Sequence, residues 1–218
     1  MRCLLCQCGD FLSKFEYRTI NENSIFEETE KRSKFISYSF KVETEEQAQN
    51  FLKTIKSNHW DAKHHVYAYS ILKNNIERFS DDNEPSGTAG APILNAIKLN
   101  KLKNILIVIV RYFGGILLGK SGLRKIYESG AKNVILKSGF SDIFLCKKAE
   151  INLDYKDYSK ILKILDSKAK IFDTKFLDKI NIEFCTKNDD FELVKSEISN
   201  ALKSENCVKF IEDFYFSI

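Results

Sequence analysis

The order of apolar and polar residues over the first 140 positions predicts alternating strands and helices. In chain order the predicted elements are strand 34–42, a helix after Thr44, strands 65–72 and 76–79, helix 91–99, strand 105–110 and a helix from Gly122 to about Ser138. Thr44 suits a helix N-cap, and Asn74-Asn75 suits a hairpin turn. The run 105–110 is wholly apolar, as expected of a central strand that is covered on both faces.

The pattern starts again near residue 140. The predicted elements there are strand 147–153, helix 155–167, the strand pair 170–176 and 180–185, helix 190–203 and strand 208–216. This β-α-β-β-α-β order is typical of a ferredoxin-like domain. The sequence therefore predicts an α+β protein with three regions. They are an N-terminal extension (1–20) that we expect to be disordered or loosely packed, an α+β domain (21–139) and a ferredoxin-like domain (140–218).

Size and composition match a soluble globular protein. The chain has 218 residues, of which 44% are hydrophobic and 29% are charged. No apolar run approaches the length that crosses a bilayer, and the N-terminus lacks the pattern of a signal peptide. We therefore expect a cytoplasmic protein with no membrane partner.

The cysteines do not predict a metal site. They form two groups, one near the N-terminus (Cys3, Cys6, Cys8) and one in strand-like segments of the second half (Cys146, Cys185, Cys207). Free thiols in apolar segments act as small hydrophobic side chains. The first group has no second Cys/His pair that would complete a four-ligand zinc site. The sequence therefore predicts no metal and no cofactor.

Charge is distributed unevenly along the chain. Residues 141–218 contain 13 lysines, no arginine and 15 carboxylates, which gives a net charge of −2. Residues 1–140 contain all six arginines and have a net charge of +6. An anionic partner is therefore expected to contact the first two thirds of the chain.

A first polar loop (residues 79–90) follows a predicted strand and opens a helix. Asp81, Asp82 and Glu84 lie within four positions, beside Arg78. Such carboxylates can bind a divalent cation or act as acids and bases, although their spacing is not that of a calcium loop. The alternative, which we favour for the carboxylates taken alone, is a turn in which Asp and Ser side chains bond backbone amides. The helix start at 87–90 offers free amides that attract anions.

Lys63, His64 and His65 lie at the start of the predicted strand 65–72 and could reach the same end of the sheet as the first loop. A histidine pair beside carboxylates suggests acid–base or metal chemistry. Neighbouring residues in a strand face opposite sides, however, so that at most one of the two histidines is expected in any one site. No Ser or Cys stands in a nucleophile elbow.

A second loop (residues 111–123) contains a match to the phosphate-loop pattern at 114–121, between an apolar strand and a helix. Ile116, Leu117 and Leu118 would fill the part of the loop that normally cradles phosphate with exposed amides. The sequence also shows no strand that ends in the Asp of a second magnesium element. A nucleotide site at 114–121 is therefore the less favoured interpretation.

Four segments together, 31–36, 61–65, 79–90 and 111–123, resemble the YigZ/IMPACT family, over roughly residues 30–137. The resemblance implies a ribosomal-protein S5 domain 2-like fold for the N-terminal, IMPACT-type domain. It also implies a ferredoxin-like C-terminal domain similar to late domains of elongation factor G. Asn83 stands where the family usually has glycine, and Lys120-Ser121 replaces two positions that usually carry small residues or glycine.

The resemblance also implies a role. Eukaryotic members resemble regulators of translation that bind a partner in the pathway controlling an initiation-factor kinase, and the elongation factor G similarity suggests contact with RNA or the ribosome. We therefore expect a non-catalytic, translation-associated protein that contacts RNA, the ribosome or a translation factor, with no preference for DNA. The C-terminal domain, which has a negative net charge, is expected to bind RNA poorly by itself.

The expected binding residues lie in the two loops and the adjoining strands: Lys63, His64, Arg78, Ser86, Gly87, Thr88, Arg111, Gly114, Gly115 and Lys120. The alternative is a small-ligand-binding protein or hydrolase that uses a cluster of five residues: His64, Asp81, Asp82, Glu84 and Arg111.

Overall fold

The computed structural model describes residues 15–204 and 207–217. Tyr17–Asp142 forms one compact unit, here called the N-terminal unit. The described residues from Ile143 onward, with Phe15 and Glu16, form a second, the C-terminal unit. Both combine β-sheets with helices, and the predicted α+β class is confirmed. Residues 1–14 of the predicted extension, including Cys3, Cys6 and Cys8, lie outside the described residues.

The N-terminal unit contains nine elements. They are β1 (Tyr17–Ile20), β2 (Ser24–Glu30), β3 (Ser33–Lys41), α1 (Glu45–Asn58), β4 (His64–Ile71), β5 (Ile76–Ser80), α2 (Gly90–Leu99), β6 (Ile105–Tyr112) and α3 (Gly119–Ser138). Strands β2 to β6 form one antiparallel sheet in the order β2-β3-β6-β4-β5.

Strand β6 lies at the centre of this sheet and is covered on both faces. Ile105, Ile107 and Ile109 pack into the core that α2 and α3 form on one face of the sheet. The alternate residues pack into a second core beneath α1: Leu106, Val108 and Val110. Every residue from 105 to 110 is fully buried, which confirms the prediction from its continuous apolar sequence.

Local signals define several element ends. Thr44 caps α1 because its hydroxyl accepts a hydrogen bond from the amide of Gln47 (3.2 Å), while the side chain of Gln47 accepts one from the amide of Glu43 (2.7 Å). Asn74 and Asn75 both have positive φ, in agreement with the predicted turn.

Two strands of this unit were not predicted. Tyr17–Ile20, which the sequence analysis assigned to the extension, forms β1, and Ile20 is fully buried. The backbone of Arg18 bonds both Lys101 and Lys103. Strand β2 lies at the sheet edge, where only Ser24 is buried, and its sequence lacks the apolar alternation that identifies a strand.

The C-terminal unit has the predicted β-α-β-β-α-β order. Its elements are β7 (Phe140–Leu153), α4 (Tyr158–Lys168), β8 (Lys170–Phe176), β9 (Ile180–Lys187), α5 (Phe191–Leu202) and β10 (Val208–Phe216). The strands form an antiparallel sheet in the order β10-β7-β9-β8, which is the ferredoxin-like arrangement. Apolar residues of α4 and α5 pack with one face of this sheet. In the described part of the chain, no helix has the length and apolar composition of a membrane span.

Candidate functional site

The two polar loops of the N-terminal unit meet at one cavity of about 330 Å³. It lies where β4 begins, where β6 ends and where α3 begins. Twelve residues line it: Lys63, His64, Asn83, Glu84, Pro85, Arg111, Phe113, Leu117, Leu118, Gly119, Lys120 and Leu123. The structure therefore brings together five of the predicted site residues: Lys63, His64, Glu84, Arg111 and Lys120. His64 and Arg111 are direct partners in the β4–β6 register, which explains why they reach the same place.

A buried ion pair forms part of the cavity wall. Nη1 of Arg111 donates to Oε1 of Glu84 over 2.6 Å, and the side chains are only 5% and 3% exposed. The hydroxyl of Tyr127, on α3, donates to the same oxygen over 2.8 Å. Burial, followed by the charge of Glu84, raises the pKa of Tyr127 well above its usual value, so that the phenol stays protonated and can donate. Arg111 and Glu84 are thus held in place by each other.

His64 is oriented by a backbone carbonyl. Its Nδ1 lies 2.8 Å from the carbonyl oxygen of Asp82, which can only accept, so Nδ1 carries the proton. In the neutral ring Nε2 is then the acceptor. Nε2 lies 3.9 Å from Oε1 of Glu84 and has no hydrogen-bond partner among the described residues, although the side chain is only 8% exposed. The ring of His65 instead contacts the carbonyl of His59, which agrees with the expectation that only one histidine enters the site.

The other two carboxylates of the first loop, Asp81 and Asp82, accept hydrogen bonds from backbone amides. Asp81 accepts hydrogen bonds from the amides of Gly87, Ala89 and Gly90 at 2.8 to 3.0 Å. Asp82 accepts one from the amide of His65 at 2.6 Å. The favoured interpretation, a turn capped by its own carboxylates, describes both residues. Within residues 15–204 and 207–217, no group of three His, Cys, Asp or Glu side chains is arranged to hold a metal.

The start of α2 does not offer the free amides that the sequence predicted. The amides of Ala89 and Gly90 already bond Asp81, so the protein supplies its own anion at this helix end. Thr88 is likewise engaged, because its hydroxyl donates to the carbonyl of Pro85 over 2.6 Å. Ser86, Gly87 and Thr88 belong to this loop but do not line the cavity.

Arg78 and the paired glycines also lie outside the cavity lining. Arg78 is exposed on the edge strand β5. Gly114 packs against the protein itself, since a Cβ at this position would lie 2.1 Å from the backbone of Arg32. The turn between β2 and β3 therefore occupies the space beside Gly114, one of the expected binding residues. Gly115 has positive φ and open space around it.

The phosphate-loop pattern lies in a different setting from that of nucleotide triphosphatases. Strand β6, which precedes it, is antiparallel to both neighbours, whereas the nucleotide-binding α/β folds place such loops after strands of a mostly parallel sheet. Helix α3 begins only at Gly119, after Leu118 has packed into the core. Lys120 is exposed at the cavity rim.

Tyr127 and Phe113 also belong to the site, although the sequence pattern did not predict them. Tyr127 lies in the apolar stripe of α3, where its hydroxyl was the only sign of a polar role. The ring of Phe113 lies 5.3 Å from Nζ of Lys63 and 5.5 Å from the guanidinium carbon of Arg111. Phe113 therefore connects the cationic rim to the buried pair. Asn83 has a φ of 67°, which explains its place at a position that needs left-handed backbone.

A family model and several individual proteins that match this chain all belong to the same family. The family model of the Impact N-terminal domain matches residues 31–135. The IMPACT family member YvyE of Bacillus subtilis is 38% identical over 146 residues, which is 66% of this chain and 67% of YvyE. An IMPACT family member of Haemophilus influenzae is 42% identical over 123 residues, 55% of this chain and 60% of that protein. IMPACT family member YigZ of Escherichia coli is 38% identical over 108 residues, 48% and 53% of the two chains.

The matches thus span about half to two thirds of the length of these relatives. Among solved structures, the crystal structure of a hypothetical protein aligns with a TM-score of 0.56 at 24% identity, covering 90% of this chain and 97% of the other. At that identity the likeness shows the fold alone. The domain match and the 38% identity to YvyE over two thirds of its length show that this chain belongs to the IMPACT family.

Proposed function

We propose that this chain is a non-catalytic, cytoplasmic, translation-associated protein whose N-terminal unit contacts RNA. The observation that carries the proposal is the unpaired charge at the rim of the cavity. Lys63 and Lys120 are both exposed, and neither has a carboxylate partner within 4.0 Å among the described residues. Unpaired lysines on one rim are the arrangement that meets phosphates of a nucleic-acid backbone.

Part of the positive charge of the C-terminal unit is neutralised by its own carboxylates. Several of its lysines are paired with carboxylates: Lys147 with Asp213, Lys148 with Glu183, Lys168 with Glu197 and Lys209 with Glu150. Internal pairing and the net charge of −2 over residues 141–218 both reduce attraction for an anionic partner. These contacts support poor RNA binding by the C-terminal unit.

The test is a titration of labelled single-stranded and structured RNA by fluorescence anisotropy at two salt concentrations. The variant Lys63→Ala/Lys120→Ala removes the two rim cations and is compared with Lys53→Ala/Lys56→Ala, which removes two exposed cations of α1. If both rim lysines contact phosphates, the plot of log K against the logarithm of the salt concentration is less steep in the rim variant. The slope is expected to be smaller in magnitude by about 1 to 2, because each contact contributes about 0.7 to 0.9. The α1 variant is expected to keep the wild-type slope.

Two results would contradict the proposal. One is the absence of salt-dependent RNA binding by the wild-type chain at low salt. The other is equal loss of affinity in the rim and α1 variants, which would indicate only a general charge effect. Arg111 is unsuitable as a test residue, because its buried pair with Glu84 makes substitution a change in stability as well as in charge.

A second candidate, binding of a small ligand in the same cavity, is favoured by one observation. Nε2 of His64 lines the cavity and has no hydrogen-bond partner among the described residues. The hydrolase form of this alternative has less support, because Asp81 and Asp82 are used to bond backbone amides. Saturable binding of a metabolite in a screen, without RNA binding, would favour this candidate.

A further inference from the structure

Two chemically different sets of groups line the cavity. The first is cationic and consists of Lys63, Lys120 and the first turn of α3. No side chain caps that turn, so its leading amides have no acceptor from a cap residue. An anion beside this turn would meet both the amides and the lysines.

The second set consists of hydrogen-bond acceptors. Oε1 of Glu84 is occupied by Arg111 and Tyr127, whereas Oε2 makes no hydrogen bond among the described residues. Nε2 of His64 is also without a partner. Both side chains line the cavity, and neither atom is among the fully enclosed polar atoms that lack a partner. A ligand that displaces water from the cavity would have to supply donors to these acceptors.

One ligand must satisfy both sets. A bare anion would leave the acceptors without a donor, and a neutral sugar would leave the lysines without an anion. A ribose phosphate has both groups, since its phosphate can meet the cationic set and its hydroxyl can donate to His64 or Glu84. Phe113, Leu117 and Leu123 give the same cavity an apolar wall, and its volume of about 330 Å³ lies in the range of small-molecule sites.

We infer that the cavity binds one ribose phosphate unit, with the phosphate at Lys63, Lys120 and the first turn of α3, and the 2′-hydroxyl at Nε2 of His64. The unit is either one nucleotide of an RNA chain or a free ribonucleotide. For the first source the inference rests on the proposed function. Because the 2′-hydroxyl is absent from DNA, this contact would let the protein distinguish RNA from DNA.

The probes are adenosine 3′-monophosphate, its 2′-deoxy analogue and inorganic phosphate, measured with the full-length chain by calorimetry. One lost hydrogen bond corresponds to about a three- to tenfold change in affinity, so the ribonucleotide is expected to bind three- to tenfold more tightly than the deoxynucleotide. His64→Asn keeps a donor near the position of Nδ1 and removes Nε2. This variant is expected to bind the two nucleotides with equal affinity. Lys120→Met is expected to weaken both nucleotides equally and to keep the ratio.

Equal affinity of the wild-type chain for the two nucleotides, or no binding of either up to about 1 mM, would overturn the inference. So would an unchanged ratio in His64→Asn, provided that its unfolding midpoint matches the wild type. A parallel titration with an RNA oligonucleotide separates the two proposals. RNA binding without nucleotide discrimination rejects the ribose site alone, whereas nucleotide discrimination without RNA binding rejects the proposed function and indicates a free ribonucleotide.

Discussion

The buried pair in the cavity wall predicts a large stability loss in Glu84→Gln. The substitution keeps the shape of the side chain but removes the charge that compensates Arg111, whose side chain is only 5% exposed. Breaking a buried pair on one side costs about 3 to 5 kcal/mol, and we expect the lower end because an amide oxygen can still accept from Tyr127. With a urea m-value of about 1 to 3 kcal/mol/M, a loss of about 3 kcal/mol lowers the unfolding midpoint by about 1 to 3 M.

The matched control is Glu77→Gln. Glu77 pairs with Lys98 at 2.6 Å and with Lys103 at 3.3 Å, but Lys98 is half-exposed and such surface pairs contribute about 0 to 1 kcal/mol. A second variant, Glu84→Leu/Arg111→Met, removes both buried charges and is expected to recover part of the loss. Apolar replacements of buried pairs are often neutral, but the hydroxyl of Tyr127 loses its acceptor in this variant. If Glu84→Gln lowers the midpoint no more than Glu77→Gln, the pair does not stabilise the cavity wall as argued.

Three further predictions concern the surroundings of the site. Asp81→Ala removes the acceptor of three amides and is expected to cost about 1 to 2 kcal/mol, with faster amide hydrogen exchange at Ala89; unchanged exchange there would contradict the capping role. Gly130→Ala places a Cβ 2.6 Å from the hydroxyl of Ser37 and is expected to destabilise the protein by about 1 to 3 kcal/mol. The same substitution should cost less in a Ser37→Ala background, and an equal cost in both backgrounds would refute the contact. Burial, with the nearby charge of His65, lowers the pKa of His59 below 6.5. The unfolded chain therefore binds the proton more readily, and the stability of the protein falls as the pH drops through about 6.5. Between about pH 7 and pH 5, the urea midpoint of His59→Gln should fall less than that of the wild type.

Much of the fold follows from local sequence signals. The run 105–110 is apolar at every position, so only a strand covered on both faces can bury it, and the structure has that strand. The cap at Thr44 and the turn at Asn74-Asn75 depend on residues within four positions of each other, which sequence can show. Strands β1 and β2 were missed because their burial depends on partners far away in the chain rather than on their own pattern.

The candidate site was predictable only in part, for the same reason. Asp81 bonds amides six to nine positions ahead, and this capped turn was the favoured interpretation of the carboxylates. Glu84 is 27 positions from Arg111 and 43 from Tyr127, so their contact depends on the sheet register and on the placement of α3. Residue types suggested that Glu84 and Arg111 have functions, but only the fold shows that they neutralise each other.

The close packing of Gly114 against the backbone of Arg32 has a consequence for how this protein can diverge. Lys31 and Arg32 form the two-residue turn between β2 and β3, both with positive φ, and the loop after β6 rests directly on that turn. Surface loops usually tolerate insertions and deletions because nothing packs on them. Here a change of length in either segment would disrupt this contact, so the two segments must keep their lengths together while their exposed side chains remain free to vary.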